Sequence, residues 1–171
     1  YTCWRAVIEY IPENASTLST ESWGKGKRFG IVPLSDGKVY WFATVNAPAN
    51  DRRMKHMDAV DLRKLFSSFH DPVADILRHT SDDQLIWNDI IDLQPISRYA
   101  FGRVALGGDA AHATTPNLGQ GAGMAIEDAI TVARLLSENE AKEALQLYEK
   151  ARIKRTHDIV NTSYRLGAVG Q

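Results

Sequence analysis

A single cysteine, Cys3, stands in a chain of 171 residues, so no intramolecular disulfide can staple the fold. Long apolar runs are missing: none reaches the length of a membrane-spanning helix, and no signal peptide is visible, so the expectation is a cytoplasmic protein without a membrane partner. Excess charge is missing too. Twenty Lys and Arg face 21 Asp and Glu, a formal net charge of −1, which leaves no electrostatic footprint for nucleic acid. No Gly-x-Gly-x-x-Gly follows a strand, no Gly-x-Ser-x-Gly marks a nucleophile, and Gly121-Ala122-Gly123 is followed by Met124 where a phosphate-binding loop needs lysine. His56, His70, His79 and His157 have no ligand-like spacing with cysteine or acids, so they read as solvated or structural and no metal is expected. An initiator methionine is missing as well. The chain starts at Tyr1 and reads as a piece of something longer.

What is present is an ordinary globular composition, long enough for a proper core, with one stretch that organises the rest. Val104 to Leu106 is a short apolar run bounded by glycines and predicts a buried strand. Asp109 stands at its end, a Thr-Pro loop follows, and Gly119, Gly121 and Gly123 lead into a helix. That helix carries Ala122, Ile126, Ala129, Ala133 and Leu136 on one apolar face, with Glu127, Asp128 and Arg134 elsewhere. A glycine-rich helix start leaves backbone N–H groups open and brings the positive end of the dipole to a ligand. An acid at the preceding strand end can accept hydrogen bonds from sugar hydroxyls. Together they point to a nucleotide-type cofactor; the bland alternative is a tight strand-to-helix connection.

In chain order, Tyr1 to Tyr10 predicts a strand, 12–22 a connection, Phe29 to Leu34 a second strand and Val39 to Val45 a third, with a turn at Ser35-Asp36-Gly37. This is an antiparallel meander. Helices are expected over about 58–69 and from Asp71-Pro72 onward, then a returning strand from Ile86 to Leu93. A last helix should run from Ala141 to about Leu166, with Gly167 as its stop. Residues 1–97 thus form an α+β part. Residues 98–171 supply one strand and two helices, too little for an independent α/β domain because a parallel sheet needs several strands covered on both faces.

The run from Gly102 through Gly107-Gly108-Asp109-Ala110-Ala111-His112, Pro116 and Gly119-Gln120-Gly121-Ala122-Gly123 to Glu127-Asp128 resembles the second flavin-binding motif of the single-component FAD-dependent aromatic hydroxylases. The resemblance spans nearly the whole chain and is specific over 102–129. It implies an α+β / α/β fragment: an antiparallel substrate-domain sheet with helices (1–97), then the C-terminal part of an FAD-binding domain (98–171) whose N-terminal βαβ part is absent. It implies an FAD-dependent monooxygenase that hydroxylates or epoxidises a planar aromatic or conjugated small molecule with NADH or NADPH and O2, through a C4a-hydroperoxyflavin. The isolated chain is then expected to be inactive; a non-catalytic binding or scaffold domain is the alternative.

Carried onto this sequence, the motif implies that Asp109 meets the ribityl chain, that Pro116 lies near the flavin ring, and that Gly119, Gly121, Ala122 and Gly123 present backbone to the cofactor. His112 could order the flavin loop or be a satisfied loop histidine. Gly26-Lys27-Arg28, Tyr40-Trp41-Phe42 and Ala113-Thr114-Thr115-Pro116 look most like the FAD-dependent urate hydroxylase branch, where the positions of Arg28 and Tyr40 contact substrate; Trp4-Arg5-Ala6 departs from it. The alternatives are a basic hairpin edge for Arg28 and sheet packing for Tyr40. A two-residue turn would place these side chains on opposite faces, whereas a three-residue loop pairing Val32 with Tyr40 would place them on one. Open sheet edges suggest a homo-oligomer.

Overall fold

The structure, a computed structural model, describes residues 1–12 and 17–169, which divide into two compact units, Tyr1–Ile90 and Ile91–Val169. In the first, strands β1 (Thr2–Ile8), β2 (Thr20–Gly24), β3 (Lys27–Pro33), β4 (Val39–Val45) and β5 (Ile86–Asp89) form one sheet in the order β2-β3-β4-β1-β5. Every pairing is antiparallel. The meander predicted from β-branched and aromatic stretches with a turn at Ser35-Asp36-Gly37 is therefore present. It carries one strand more than expected, because Gly26 (φ 66°) turns the basic cluster into a hairpin and β2 occupies the end of the supposed connection. The start of that connection, 13–16, lies outside the described residues.

Alternation sends Trp4, Ala6, Ile8, Phe29, Ile31, Val39, Trp41 and Ala43 to one face, where they pack against Leu62, Phe66, Val73, Ile76 and Leu77. These come from the region of helices α1 (Arg52–Lys55), α2 (Ala59–Leu65) and α3 (Val73–Arg78). Trp4 and Trp41 have no exposed surface, and burying each aromatic is worth roughly 2–3 kcal/mol. The Trp41 indole N–H donates to Thr80 Oγ1 at 3.0 Å, so its polar edge is satisfied. α2 is shorter than its apolar spacing suggests. Asp58 caps its start by accepting from the Asp61 N–H, and Phe66 already ends it.

The second unit differs more from expectation. Val104 does not lie in a buried strand: β7 is only Val104–Ala105, paired with β6 (Ala100–Phe101) around Gly102, and Val104 is 61% exposed. A two-stranded ribbon has no second layer on its outer face, so the apolar side chain stays open. Asp109–His112 forms the short helix α4, followed by a 3-10 turn at Pro116–Leu118, α5 (Gly121–Glu138) and α6 (Ala141–Val169). In α5 the expected inner face is the outer one. Ile126 and Leu136 are exposed while Met124, Asp128 and Leu135 are buried. The reason is α6, whose Arg152 draws Asp128 inward by an ion pair. Gly167 does not stop α6 either. It is buried within the helix, where a Cβ would stand 2.5 Å from Asn117 Nδ2. Among the described residues no helix is long and apolar enough to cross a membrane.

Candidate functional site

The glycine-rich stretch becomes a connection with a demanding backbone. Gly108 has φ 55° and ψ −141°, a conformation that side chains with a Cβ resist, and it delivers Asp109 as the first residue of α4. Asp109, Thr114, Thr115, Pro116, Gly119, Gly121, Ala122 and Ala125 line one open cavity of about 600 Å³. Five of the six residues expected at a cofactor are thus brought to one place; Gly123 sits one residue further into the helix and is not in that lining. Helix α5 begins at this wall with Gln120 as N-cap and no side-chain cap. Its first N–H groups are therefore open to an acceptor, with the positive end of the helix dipole behind them. Gly119 turns the chain in the left-handed region (φ 62°) so that the helix can start there. An acid on one wall, uncapped N–H groups on another and a proline between them fit a ligand with hydroxyls, an electron-rich edge and a flat ring. FAD has all three.

Behind the cavity lies a buried polar network anchored on Asp128, which is 3% exposed. Its Oδ2 accepts from the Gly108 N–H at 2.9 Å and bonds His112 Nε2 at 2.6 Å. Its Oδ1 accepts from Arg152 Nε at 2.7 Å. One carboxylate thereby holds the residue before α4 and the last residue of α4, and so fixes where Asp109 stands. Arg152 also donates to Glu127 (2.6 Å) and the Met124 carbonyl (3.2 Å), and Arg155 donates twice to Glu127. Arg155 and Arg152 hold the Glu127 carboxyl down to about 2. Burial opposes ionisation of Asp128, but the Gly108 N–H, Arg152 and His112 outweigh it and lower its pKa. Tyr148 donates to the Leu106 carbonyl at 3.0 Å, and burial together with the Asp128 charge pushes its hydroxyl up.

The sequence pattern puts Asp128 with the polar residues of α5, whereas the structure buries it. The available signal was the matched charge set: Glu127-Asp128 on one helix and Arg152 with Arg155 on the next, at spacings that let two packed helices pair them. His112 is buried as the last residue of α4 and bonded to Asp128, and its Nδ1 finds no hydrogen-bond partner among the described residues.

In the first unit, Val32 pairs with Tyr40 and Arg28 with Thr44. This is the three-residue-loop register, and it puts Arg28 and Tyr40 on the same face, opposite the core. Arg28 is buried there (6% exposed), ion-paired with Glu21 at 3.2 Å, and its guanidinium lies 5.5 Å and 5.8 Å from the ring centres of Tyr1 and Trp23. Tyr40 is half-buried beside Phe42, ring centroids 6.2 Å apart. Phe42 lies so close over Gly30 that a Cβ would meet it at 2.1 Å. This face is lined with rings.

Comparison with known proteins gives the family. The chain is 43% identical over its whole length to the aurachin C monooxygenase/isomerase of Stigmatella aurantiaca, and 38% identical over 99% of its length to the 2-heptyl-3-hydroxy-4(1H)-quinolone synthase of Pseudomonas aeruginosa. It spans 45% of each of those proteins, somewhat less than half their length. The crystal structure of Klebsiella pneumoniae HpxO with FAD and uric acid superposes at a TM-score of 0.88 and 30% identity, covering 99% of this chain and 44% of that one. The FAD binding domain family matches residues 5–163, and the chain belongs to that family.

Proposed function

We propose that this chain is the C-terminal part of an FAD-dependent monooxygenase that acts in the cytoplasm on a planar aromatic or conjugated small molecule, with NADH or NADPH and O2 as co-substrates. The observation that carries this reading is the uncapped, glycine-rich start of α5 facing Asp109 across one cavity. In that arrangement Asp109 accepts hydrogen bonds from ribityl hydroxyls, and Pro116 gives the ring a rigid wall. The N–H groups at Gly121, Ala122 and Gly123 meet the electron-rich edge of the flavin, and the helix dipole there favours the charge of its reduced form. Bound FAD supplies the electron transfer and the activation of oxygen; the protein supplies position and exclusion of water.

On the other unit, Tyr1–Ile90, the sheet furnishes the substrate surface, with Tyr40 and Phe42 as ring partners and Arg28 held at the same face. The names of the relatives favour a bicyclic nitrogen heteroaromatic, a 4(1H)-quinolone before urate.

The test uses the longer protein that contains this chain. Purified, it should be yellow, consume NAD(P)H and O2 when a 2-alkyl-4(1H)-quinolone is added, and release a product one oxygen heavier. A colourless protein that binds no flavin would leave a non-catalytic binding domain as the better reading. A flavoprotein without oxygen insertion into any planar substrate would refute the monooxygenase.

A further inference from the structure

The ring-lined face of the sheet carries two arginines in opposite circumstances. Arg28 has its charge answered by Glu21 and lies among the rings of Tyr1 and Trp23. Arg5 is half-buried on β1, directly across from Phe42 in the β1–β4 register and two pairs along from Val7–Tyr40, so Arg5, Phe42 and Tyr40 share that face. The acceptor for Arg5 is a neutral amide: Nη2 donates to Asn88 Oδ1 at 2.7 Å, across the β1–β5 pairing. Among the described residues no carboxylate forms an ion pair with it. Cys3, the next residue on this face, offers no counter-charge, because burial pushes its thiol up to about 11 and keeps it neutral. The Arg5 charge also acts on the Tyr40 hydroxyl, lowering a pKa that burial raises. A guanidinium has five N–H donors in a planar fork, and Asn88 fixes its orientation while leaving most of them unused.

We propose that Arg5, oriented by Asn88, is the substrate-recognition cation of this face. It takes the oxygen on the rim of a planar ring (a carbonyl, enolate or carboxylate oxygen) while the ring itself lies against Tyr40 and Phe42. Arg28 is then a structural member of the face, and Asn88 is a positioning residue acting through Arg5. This assignment rests on the monooxygenase reading and refines it: the substrate class is a planar heteroaromatic with an oxygen acceptor at its edge.

Two probes of the same bicyclic shape separate the roles in the longer, FAD-loaded protein: 4(1H)-quinolone, which has the oxygen, and quinoline, which lacks it. Binding is read from the change each causes in the flavin spectrum. Arg5→Gln should weaken quinolone binding about tenfold and leave quinoline binding unchanged, with FAD content intact. Arg5→Lys should recover part of the loss, and Asn88→Ala should shift the quinolone alone by a smaller factor. Arg28→Gln should move both probes together, through the fold. An Arg5→Gln protein that binds quinolone as before, or that loses both probes equally, would overturn the assignment. Should the Gln variant not fold, the Lys and Asn88→Ala variants decide by the same ratio. Loss of the monooxygenase reading looks different: a yellow unaltered protein whose spectrum neither probe perturbs would remove the substrate face, and Arg5 with it.

Discussion

Asp128 holds one side of the cavity at the start of α5 through three donors, so its charge matters more than its shape. Asp128→Asn keeps the size but leaves the Arg152 guanidinium, 6% exposed, with less of its counter-charge. Breaking a buried pair from one side costs about 3 kcal/mol, and the midpoint of urea unfolding should fall accordingly; an unchanged midpoint would mean that Arg152 finds other partners. Asp109, exposed on the cavity wall, should behave in the opposite way. Asp109→Ala should leave unfolding alone and weaken FAD binding by roughly 1–3 kcal/mol in the longer protein, since ribityl hydroxyls lose a charged acceptor. Equal affinity by calorimetry would remove it from the site. The acids also predict a pH response. Arg155 and Arg152 lower the carboxyl of Glu127 from 4.5 to about 2, and Asp128 and Glu149 are likewise depressed. A depressed carboxyl contributes stability that is complete above its unfolded pKa and is lost as pH falls through the folded one. Unfolding midpoints should hold near neutrality and decline from about pH 4.5 toward 2. Glu127→Gln should flatten only part of that slope, because solvent screens its half-exposed side chain. Asp109 was legible in the sequence because the motif surrounds it with fixed neighbours. Asp128 was not, because burial of a charge depends on a partner 24 residues away on another helix.

At the scale of elements, strand pattern was the reliable guide. Val39 to Val45 is made of β-branched and aromatic residues apart from Ala43, and its β4 bounds come out as read. The three-residue loop became distinguishable only through the register, since both turn lengths suit Ser35-Asp36-Gly37. Helix periodicity gave the right element and the wrong orientation in α5, because apolar spacing names two candidate faces when Met124 and Leu135 lie across from Ile126 and Leu136. Gly167 shows a similar ambiguity. Near a helix end glycine suggests a stop, yet here α6 runs through it so that Asn117 can approach. Asn117 Nδ2 donates to the Ser163 carbonyl at 3.0 Å and to Thr115 Oγ1 at 2.9 Å, which ties the Pro116 turn to α6. Gly167→Ala should displace that amide and cost about 1–3 kcal/mol in unfolding experiments, a typical overpacking penalty. FAD affinity in the longer protein should drop with it. A variant as stable as the original would mean that Asn117 moves aside freely.

For the whole molecule, the decisive feature is apolar surface that the described residues do not cover. Ile126, Ile130 and Val104 are each more than 60% exposed and Leu136 is 45% exposed. Beside them runs an apolar groove of about 680 Å³, with Leu106, Val132, Leu136 and Leu145 in its walls. Single exposed apolar residues are ordinary, but a contiguous stripe beside a two-stranded ribbon with open edges recruits other surfaces. The relatives are more than twice as long as the stretch they share with this chain, so in a protein of their length further chain is there to lie on the stripe. Expressed alone, the 171 residues should therefore self-associate and hold FAD weakly, while the longer protein should show neither behaviour through this stripe. Light scattering over a dilution series checks the first. The average mass should exceed that of one chain, 19.0 kDa, at high concentration and fall when Ile126 and Ile130 are replaced by glutamate. The glutamates sit on the outward face of α5, so they should leave the Asp128 network and helix content unchanged by circular dichroism. A compact monomer at every concentration would show that the stripe is too small to recruit a second copy. Association that survives both glutamates would move the contact to the sheet edges of the first unit.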